Sequence, residues 1–193
     1  MIIACDIDGC LSNFNKGYRI LFPDHDFPES SPDFPPVWSW PEYYGVSKKA
    51  VSVAWKTIKN SKTFWEELES LPQANEALKA LNKLRRKGKN EVYFLTTRAG
   101  FDCKGQTWRW LKKRGFNDPT ILISVQTPQA KGYVCAGLGV DVIIDDRALN
   151  LNNVHAPTRR YLVDAAYNRV ISSPHKCTRI STVYEALEAE DLV

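Results

Sequence analysis

Two aspartates, Asp6 and Asp8, stand one residue apart where the apolar run Ile2-Ile3-Ala4-Cys5 gives way to Gly9. Three more sets of polar residues follow apolar or capping stretches later in the chain. Thr96-Thr97-Arg98 ends the run Val92-Tyr93-Phe94-Leu95, Lys131 follows Thr127-Pro128-Gln129-Ala130, and Asp145-Asp146-Arg147 ends Val142-Ile143-Ile144. The inventory is four carboxylates, one lysine, a hydroxyl pair and a glycine turn, without clustered His or Cys. An all-oxygen set suits a hard cation such as Mg²⁺ rather than zinc. A metal and a lysine together neutralise a phosphate and the charge that develops as it transfers. One aspartate of the pair can act as nucleophile, so that an acyl phosphate splits a difficult displacement into two easier ones. The other can protonate the leaving oxygen and later activate water. Each piece alone is commonplace: a turn, a strand end, a solvated helix residue, a capping pair. The ordered set is what points to catalysis.

Such residues cooperate only if the fold gathers them at one edge. Short apolar segments at 2–5, 92–96, 120–124, 142–144 and 161–163 read as buried parallel strands. Helical stretches separate them, so the expected class is α/β, with a Rossmann-like parallel sheet and ligand chemistry at the carboxyl ends of its strands. Side-chain alternation would let Asp6 and Asp8 face one space while Ile7 faces the core. A helix with Pro72 in its first turn carries Ala74, Ala77, Leu78, Leu81 and Leu84 on one face and stops after Arg85-Arg86-Lys87 at Gly88. Further helices are expected over 106–114, from Lys131 to Gly137 or Gly139, and over 182–189.

Residues 15–70 break this rhythm. Pro23, Pro28, Pro32, Pro35, Pro36 and Pro41 crowd together with Trp38, Trp40, Tyr43, Tyr44, Trp55, Phe64 and Trp65. The stretch 47–59 reads as a helix capped by Ser47. We expect a small, mainly helical cap at 15–70, inserted after the first strand, over a core made of 1–14 and 71–193. Its aromatics either stack on a nucleobase or form the cap's own core, with Trp55 expected in that core.

The chain has 193 residues, of which 44% are hydrophobic and 25% charged, with a net charge of +4. That is enough chain for a sizeable core. The positive balance favours an anionic ligand mildly and is too small to argue for nucleic acid. No stretch approaches the ~20 apolar residues of a membrane span. Asp6 interrupts the N-terminal apolar run early, so a secretory leader is not expected. Five cysteines without a C-x-x-C spacing point to reduced thiols and a cytoplasmic location.

The four motifs in this order resemble the haloacid dehalogenase (HAD) superfamily. Phe14 after Asp8-Gly9, the run Phe64-Trp65-Glu66-Glu67-Leu68-Glu69-Ser70-Leu71-Pro72, the ending Ile143-Ile144-Asp145-Asp146-Arg147 and the late Ala166-Tyr167-Asn168-Arg169 are similar to the 5′(3′)-deoxyribonucleotidases. Members of that family remove phosphate from deoxynucleoside monophosphates with Mg²⁺. The resemblance implies Asp6 as nucleophile, Asp8 as acid/base, and Thr96, Thr97 and Lys131 as phosphate holders. It implies a metal set of Asp6, Asp145, Asp146 (directly or through water) and Asp8, the last through its backbone carbonyl. Phe14 matches an aromatic that contacts the base, and Trp38, Trp40, Tyr44 and Arg98 are further candidate substrate contacts. Five positions depart from the family. Cys10 and Ser12 replace small apolar residues, Thr97-Arg98 replaces a Ser-Pro pair of the animal members, and Gln129 stands where those members carry a basic residue.

The expectation is thus a Mg²⁺-dependent phosphomonoester hydrolase for (deoxy)nucleoside 5′-monophosphates. The expected partner is a small nucleotide, with no membrane and no stable nucleic-acid partner, and a homodimer is left open. The rivals are another phosphomonoester (a sugar phosphate or a polynucleotide 3′-phosphate), phosphotransfer to an acceptor other than water, and a nucleotide-binding protein without turnover.

Overall fold

Six short strands pair side by side, all parallel, in the order β3-β2-β1-β4-β5-β6. The computed structural model describes residues 1–28, 35–118, 121–124, 127–169 and 177–193. The strands are β1 (Ile2–Cys5), β2 (Glu91–Thr96), β3 (Ile121–Ser124), β4 (Val142–Asp145), β5 (Arg159–Val163) and β6 (Cys177–Ile180). Helices α1 (Phe14–Arg19), α2 (Trp40–Tyr43), α3 (Lys48–Asn60) and α4 (Phe64–Glu67) lie between β1 and α5 (Ala74–Arg86). The remainder are α6 (Cys103–Lys113), α7 (Pro128–Leu138), α8 (Ala148–Asn152), α9 (Ala166–Arg169) and α10 (Val183–Ala189).

The two-residue period of a strand sorts its side chains onto two cores. Ile3 and Cys5 of β1 join Val92, Phe94, Val142 and Ile144 in a cluster with Leu78 and Leu81 of α5, Trp110 of α6 and Leu187 of α10. Ala4 joins Leu95, Ile143 and Leu162 on the other face, against Cys135 of α7 and Leu151 of α8. The order of the sheet reverses between β1 and β4, so the crevice beyond their carboxyl ends is where an α/β sheet offers a ligand site.

Several elements differ from the sequence expectation in instructive ways. The sixth strand has no counterpart among the expected segments, because only Ile180 of its four residues is buried and no apolar run marks it. Helix α5 begins at Ala74 after Gln73, whose φ of 62° is left-handed, so Pro72 lies before the helix rather than in its first turn. Helix α7 begins at Pro128, so Lys131 lies three residues inside it rather than at its start. Ser47 does cap α3, its side chain accepting from Ala50 N at 3.2 Å. Residue 120 of the expected third strand, with Pro32 of the aromatic stretch, lies outside the described residues.

The stretch between β1 and α5 owes its order to aromatic packing. Trp40 meets Tyr18, Phe22 and Phe27 edge-on, with centroids 5.7, 6.2 and 4.9 Å apart. Trp65 and Leu68 belong to the same cluster as the α5 face of the sheet, so this stretch shares a core with the sheet instead of enclosing a separate one. Among the described residues no helix is long and apolar enough to cross a membrane. All five cysteines are free.

Trp110 is fully buried and its indole donates to Leu68 O at 2.7 Å. Trp110→Ala is therefore expected to cost about 3–5 kcal/mol through the lost packing, and Ser47→Ala about 1 kcal/mol through the lost cap. Equilibrium urea unfolding of the two variants measures both.

Candidate functional site

The chain stays in the pleat just beyond β1: Asp6 N donates to Ile144 O at 2.9 Å, and Ile7 is fully buried. Asp6 therefore shares the face of Ala4, and Asp145 that of Ile143, the side covered by α7 and α8. Lys131 reaches the same spot from α7, with Nζ 2.8 Å from Asp6 Oδ2 and 2.6 Å from Asp145 Oδ2. Thr127 caps this helix by accepting from Ala130 N at 3.2 Å. A cation so near a helix N-terminus is locally unfavourable, and the two carboxylates outweigh that. Gly132 makes the approach possible, because a Cβ there would overlap the carbonyl of Asn153 just beyond α8.

Asp145 is held from α8 as well. Asn150 Nδ2 donates to its two oxygens at 2.9 and 3.0 Å, and Arg147 N donates to Oδ1 at 2.8 Å. Asp146 leans the other way, toward β5 and α9. The Tyr167 hydroxyl donates to its Oδ2, and Asn168 Nδ2 donates to its backbone carbonyl at 2.8 Å. Gly9 leaves room for this carboxylate. Its φ is +82°, and a Cβ at that position would land on the Asp146 carboxylate and 2.8 Å from the Tyr167 hydroxyl.

Carboxylate oxygens of Asp6, Asp145 and Asp146 lie within 4.8 Å of one another, all three residues buried. Burial pushes the Asp6 carboxyl up to about 7, with Lys131 opposing the rise and the charges of Asp145 and Asp8 adding to it. Burial, followed by the charges of Asp145 and Asp6, lifts Asp146 well above the usual carboxylate range. Burial works against the Lys131 charge, yet Asp145 and Asp6 hold it above the ordinary lysine range. One ammonium answers only one of three carboxylates. Asp146 Oδ1 is in addition buried without a hydrogen-bond partner. An orphaned oxygen beside uncompensated negative charge fits a divalent cation that takes oxygen ligands.

Asp8 is not part of this cluster. Its side chain turns toward the end of β2, where Arg98 Nε lies 3.0 Å from Oδ2 and Arg98 Nη2 lies 2.8 Å from Oδ1. Ser12 Oγ also donates to Asp8 Oδ1, at 2.6 Å. Asp6 and Asp8 thus border one cavity, as their spacing suggested, while leaning on different cations.

That cavity, of about 280 Å³, is bordered by Asp6, Asp8, Phe14, Trp38, Trp55 and Thr97. Phe14 stacks on Tyr18 and Trp65 with centroids 5.1 and 5.9 Å apart. Trp38 is 52% exposed at the rim, edge-on to Tyr167 and under the Arg147 guanidinium, which lies 4.6 Å from its centroid. Thr96 is buried beneath the site and its hydroxyl accepts from Arg98 N at 3.2 Å.

Four placements differ from expectation. Trp40 reaches the cavity wall but is only 2% exposed, its ring in the aromatic core and its indole donating to Asn15 Oδ1 at 3.1 Å. Tyr44 packs on Phe27 and Tyr43, away from the cavity lining. Trp55, expected in the core, is instead partly exposed on the cavity wall and stacks on Phe14. Arg98, expected on the substrate, is 1% exposed and directed at Asp8. Asn150 and Ser12 carried no sequence signal beyond their nearness to a motif. A larger groove of about 890 Å³ shares Gly9 and Tyr167 with this cavity but borders neither Asp6, Asp8 nor Lys131.

Residues 1–192 match the model of the family described as "5′ nucleotidase, deoxy (Pyrimidine), cytosolic type C protein". Two similar relatives are the mitochondrial 5′(3′)-deoxyribonucleotidases of Homo sapiens and Mus musculus. They are 31% and 30% identical over 155 residues, which is 75% of this chain and 61% and 64% of theirs. The chain thus spans less than two thirds of the length of these relatives. Among solved structures, the HAD-hydrolase YfnB from Bacillus subtilis, bound to magnesium, aligns with a TM-score of 0.58 at 12% identity over 98% of each chain. A dehalogenase with an intermediate complex aligns with a TM-score of 0.57 at 14% identity over 97% of this chain and 96% of that one. At such identities the structural likeness concerns the fold.

Carboxylates must be ionised to ligate a metal, and burial keeps Asp6 protonated below about 7. Mg²⁺ or Mn²⁺ is therefore expected to raise the melting temperature more as pH rises through that value, and Asp146→Asn should weaken the effect. Thermal melts against metal concentration at several pH values check both statements.

Proposed function

This chain belongs to the cytosolic type C family of deoxy (pyrimidine) 5′ nucleotidases, and on that premise we propose that it is a Mg²⁺-dependent phosphomonoester hydrolase acting on (deoxy)nucleoside 5′-monophosphates. The observation that carries this reading is the buried Asp6, paired with Lys131 beside Asp145 and Asp146, with a second carboxylate, Asp8, held apart from them.

Asp6 attacks phosphorus and the bond from phosphorus to the nucleoside oxygen breaks. Asp8 gives that oxygen its proton, so a neutral nucleoside departs and the phosphoryl group rests on Asp6. A water then loses a proton to Asp8 and attacks the same phosphorus, which frees inorganic phosphate and restores Asp6. Lys131 holds Asp6 in place and meets the phosphoryl oxygens, and Thr97 offers its hydroxyl and backbone N–H at the cavity edge. Asp6, Asp145 and Asp146, together with the Asp8 backbone carbonyl, would hold Mg²⁺, which would supply further screening of phosphate charge.

In this reading residues 15–70 form a cap over the core of 1–14 and 71–193. Phe14, Trp38 and Trp55 grip the nucleobase, since aromatic faces stack on any base, and the cap limits water around the aspartyl phosphate. Free thiols suit a reducing compartment, and the cytoplasm is the proposed location.

Phosphate release from deoxy- and ribonucleoside 5′- and 3′-monophosphates, sugar phosphates and a polynucleotide 3′-phosphate tests the proposal. Release is expected from nucleoside 5′-monophosphates, to require Mg²⁺, and to fall by at least about 10³-fold in Asp6→Asn. Turnover confined to sugar phosphates or polynucleotide ends would replace the substrate class. Nucleotide binding without any release would remove the hydrolase reading altogether.

A further inference from the structure

We propose that Arg98 is the positioning residue for Asp8, holding that carboxylate clear of the metal-ligand cluster and turned toward the departing oxygen of the substrate. The inference rests on the hydrolase reading above and adds a residue that acts through Asp8 rather than on the phosphate.

The geometry is that of a clamp. Nε and Nη2 of Arg98 address the two oxygens of Asp8 at 3.0 and 2.8 Å. A fork of this kind fixes the plane of a carboxylate as well as its distance. Nη2 also donates to Ser12 Oγ at 3.1 Å, and that hydroxyl donates to Asp8 Oδ1 at 2.6 Å, which closes a triangle around one oxygen. The far side of the guanidinium is fixed too, with Nη1 donating to Thr107 Oγ1 at 3.1 Å. Its carbon lies 5.1 Å from the centroid of Trp65 and 5.6 Å from that of Trp110. The Trp65 indole in turn donates to Ala99 O at 3.0 Å, tying α4 to the backbone that carries Arg98.

Burying this cation costs far more than leaving it at the surface. What the burial achieves is separation. Lys131 holds Asp6 with Asp145, Arg98 holds Asp8, and the Asp8 carboxylate stays outside the cluster of Asp6, Asp145 and Asp146. When the Asp8 carboxyl gives its proton to the leaving oxygen as the phosphorus–oxygen bond breaks, Arg98 faces the carboxylate left behind. A substrate contact would instead direct the guanidinium at the ligand.

The test compares two leaving groups in a single turnover with enzyme in excess, which isolates the first step. A nucleoside oxygen needs a proton to leave, whereas p-nitrophenolate leaves without one. Arg98→Met is expected to slow nucleoside release by at least about tenfold and p-nitrophenolate release by less than about threefold, with little change in KM for either. Arg98→Lys should restore part of the nucleoside rate. Ser12→Ala should show a weaker loss of the same selectivity, and it carries the comparison if Arg98→Met does not fold. Equal losses with both leaving groups, no loss with either, or a raised KM at an unchanged first-turnover rate would overturn the assignment. Wild-type protein that releases neither leaving group would remove the hydrolase reading instead.

Discussion

A buried ammonium between two buried carboxylates governs the architecture of this molecule. Lys131 is fully buried against Asp6 and Asp145, and each member left alone would carry a desolvation cost of several kcal/mol. The surroundings are built to keep them together. Strand alternation turns Asp6 and Asp145 to one face, Asn150 occupies Asp145 from α8, and Gly132 admits α7 close enough for the lysine to arrive. The charge that remains, focused near Asp146 and its unpartnered oxygen, defines where a divalent cation fits.

How much of this could be read from the chain depends on how local each signal is. The strands that lead into Asp6, Thr96 and Asp145 are short apolar runs whose composition is visible in a few residues. The motif carboxylates and Lys131 follow from them, because a sheet order that places β1 beside β2 and β4 brings the ends of those strands together. Strand β6 escaped because its pattern leaves a single residue buried, too little for a periodic signal. The partner of Arg98 escaped because Asp8 lies 90 residues away in sequence. Nothing in the motif Thr96-Thr97-Arg98 tells whether its arginine faces a ligand or a carboxylate.

The aromatic stretch shows the same limit in sharper form. Trp40 and Trp55 are indistinguishable by residue type, and each sits in a helix. Trp40 fills the core because Tyr18, Phe22 and Phe27 surround it. Trp55 remains on the cavity wall because Phe14 and Tyr18 cover only part of it, with ring centroids 5.9 and 5.5 Å away. The assignment follows from how the stretch folds back onto itself and onto Trp65, a non-local outcome that a helical period cannot encode.

The single residue between the two aspartates carries a consequence for how such a site is supported. Ile7 is fully buried and pins the backbone, so its neighbours answer to separate anchors, one on α7 and the other just beyond β2 and braced by α6. Arg98, Ser12 and Thr107 thus brace the Asp8 side chain without any hydrogen bond to Lys131 or to the Asp145 and Asp146 carboxylates among those described. On the proposed hydrolase reading, the side of the site that meets the leaving oxygen and the side that meets phosphate therefore rest on different supports.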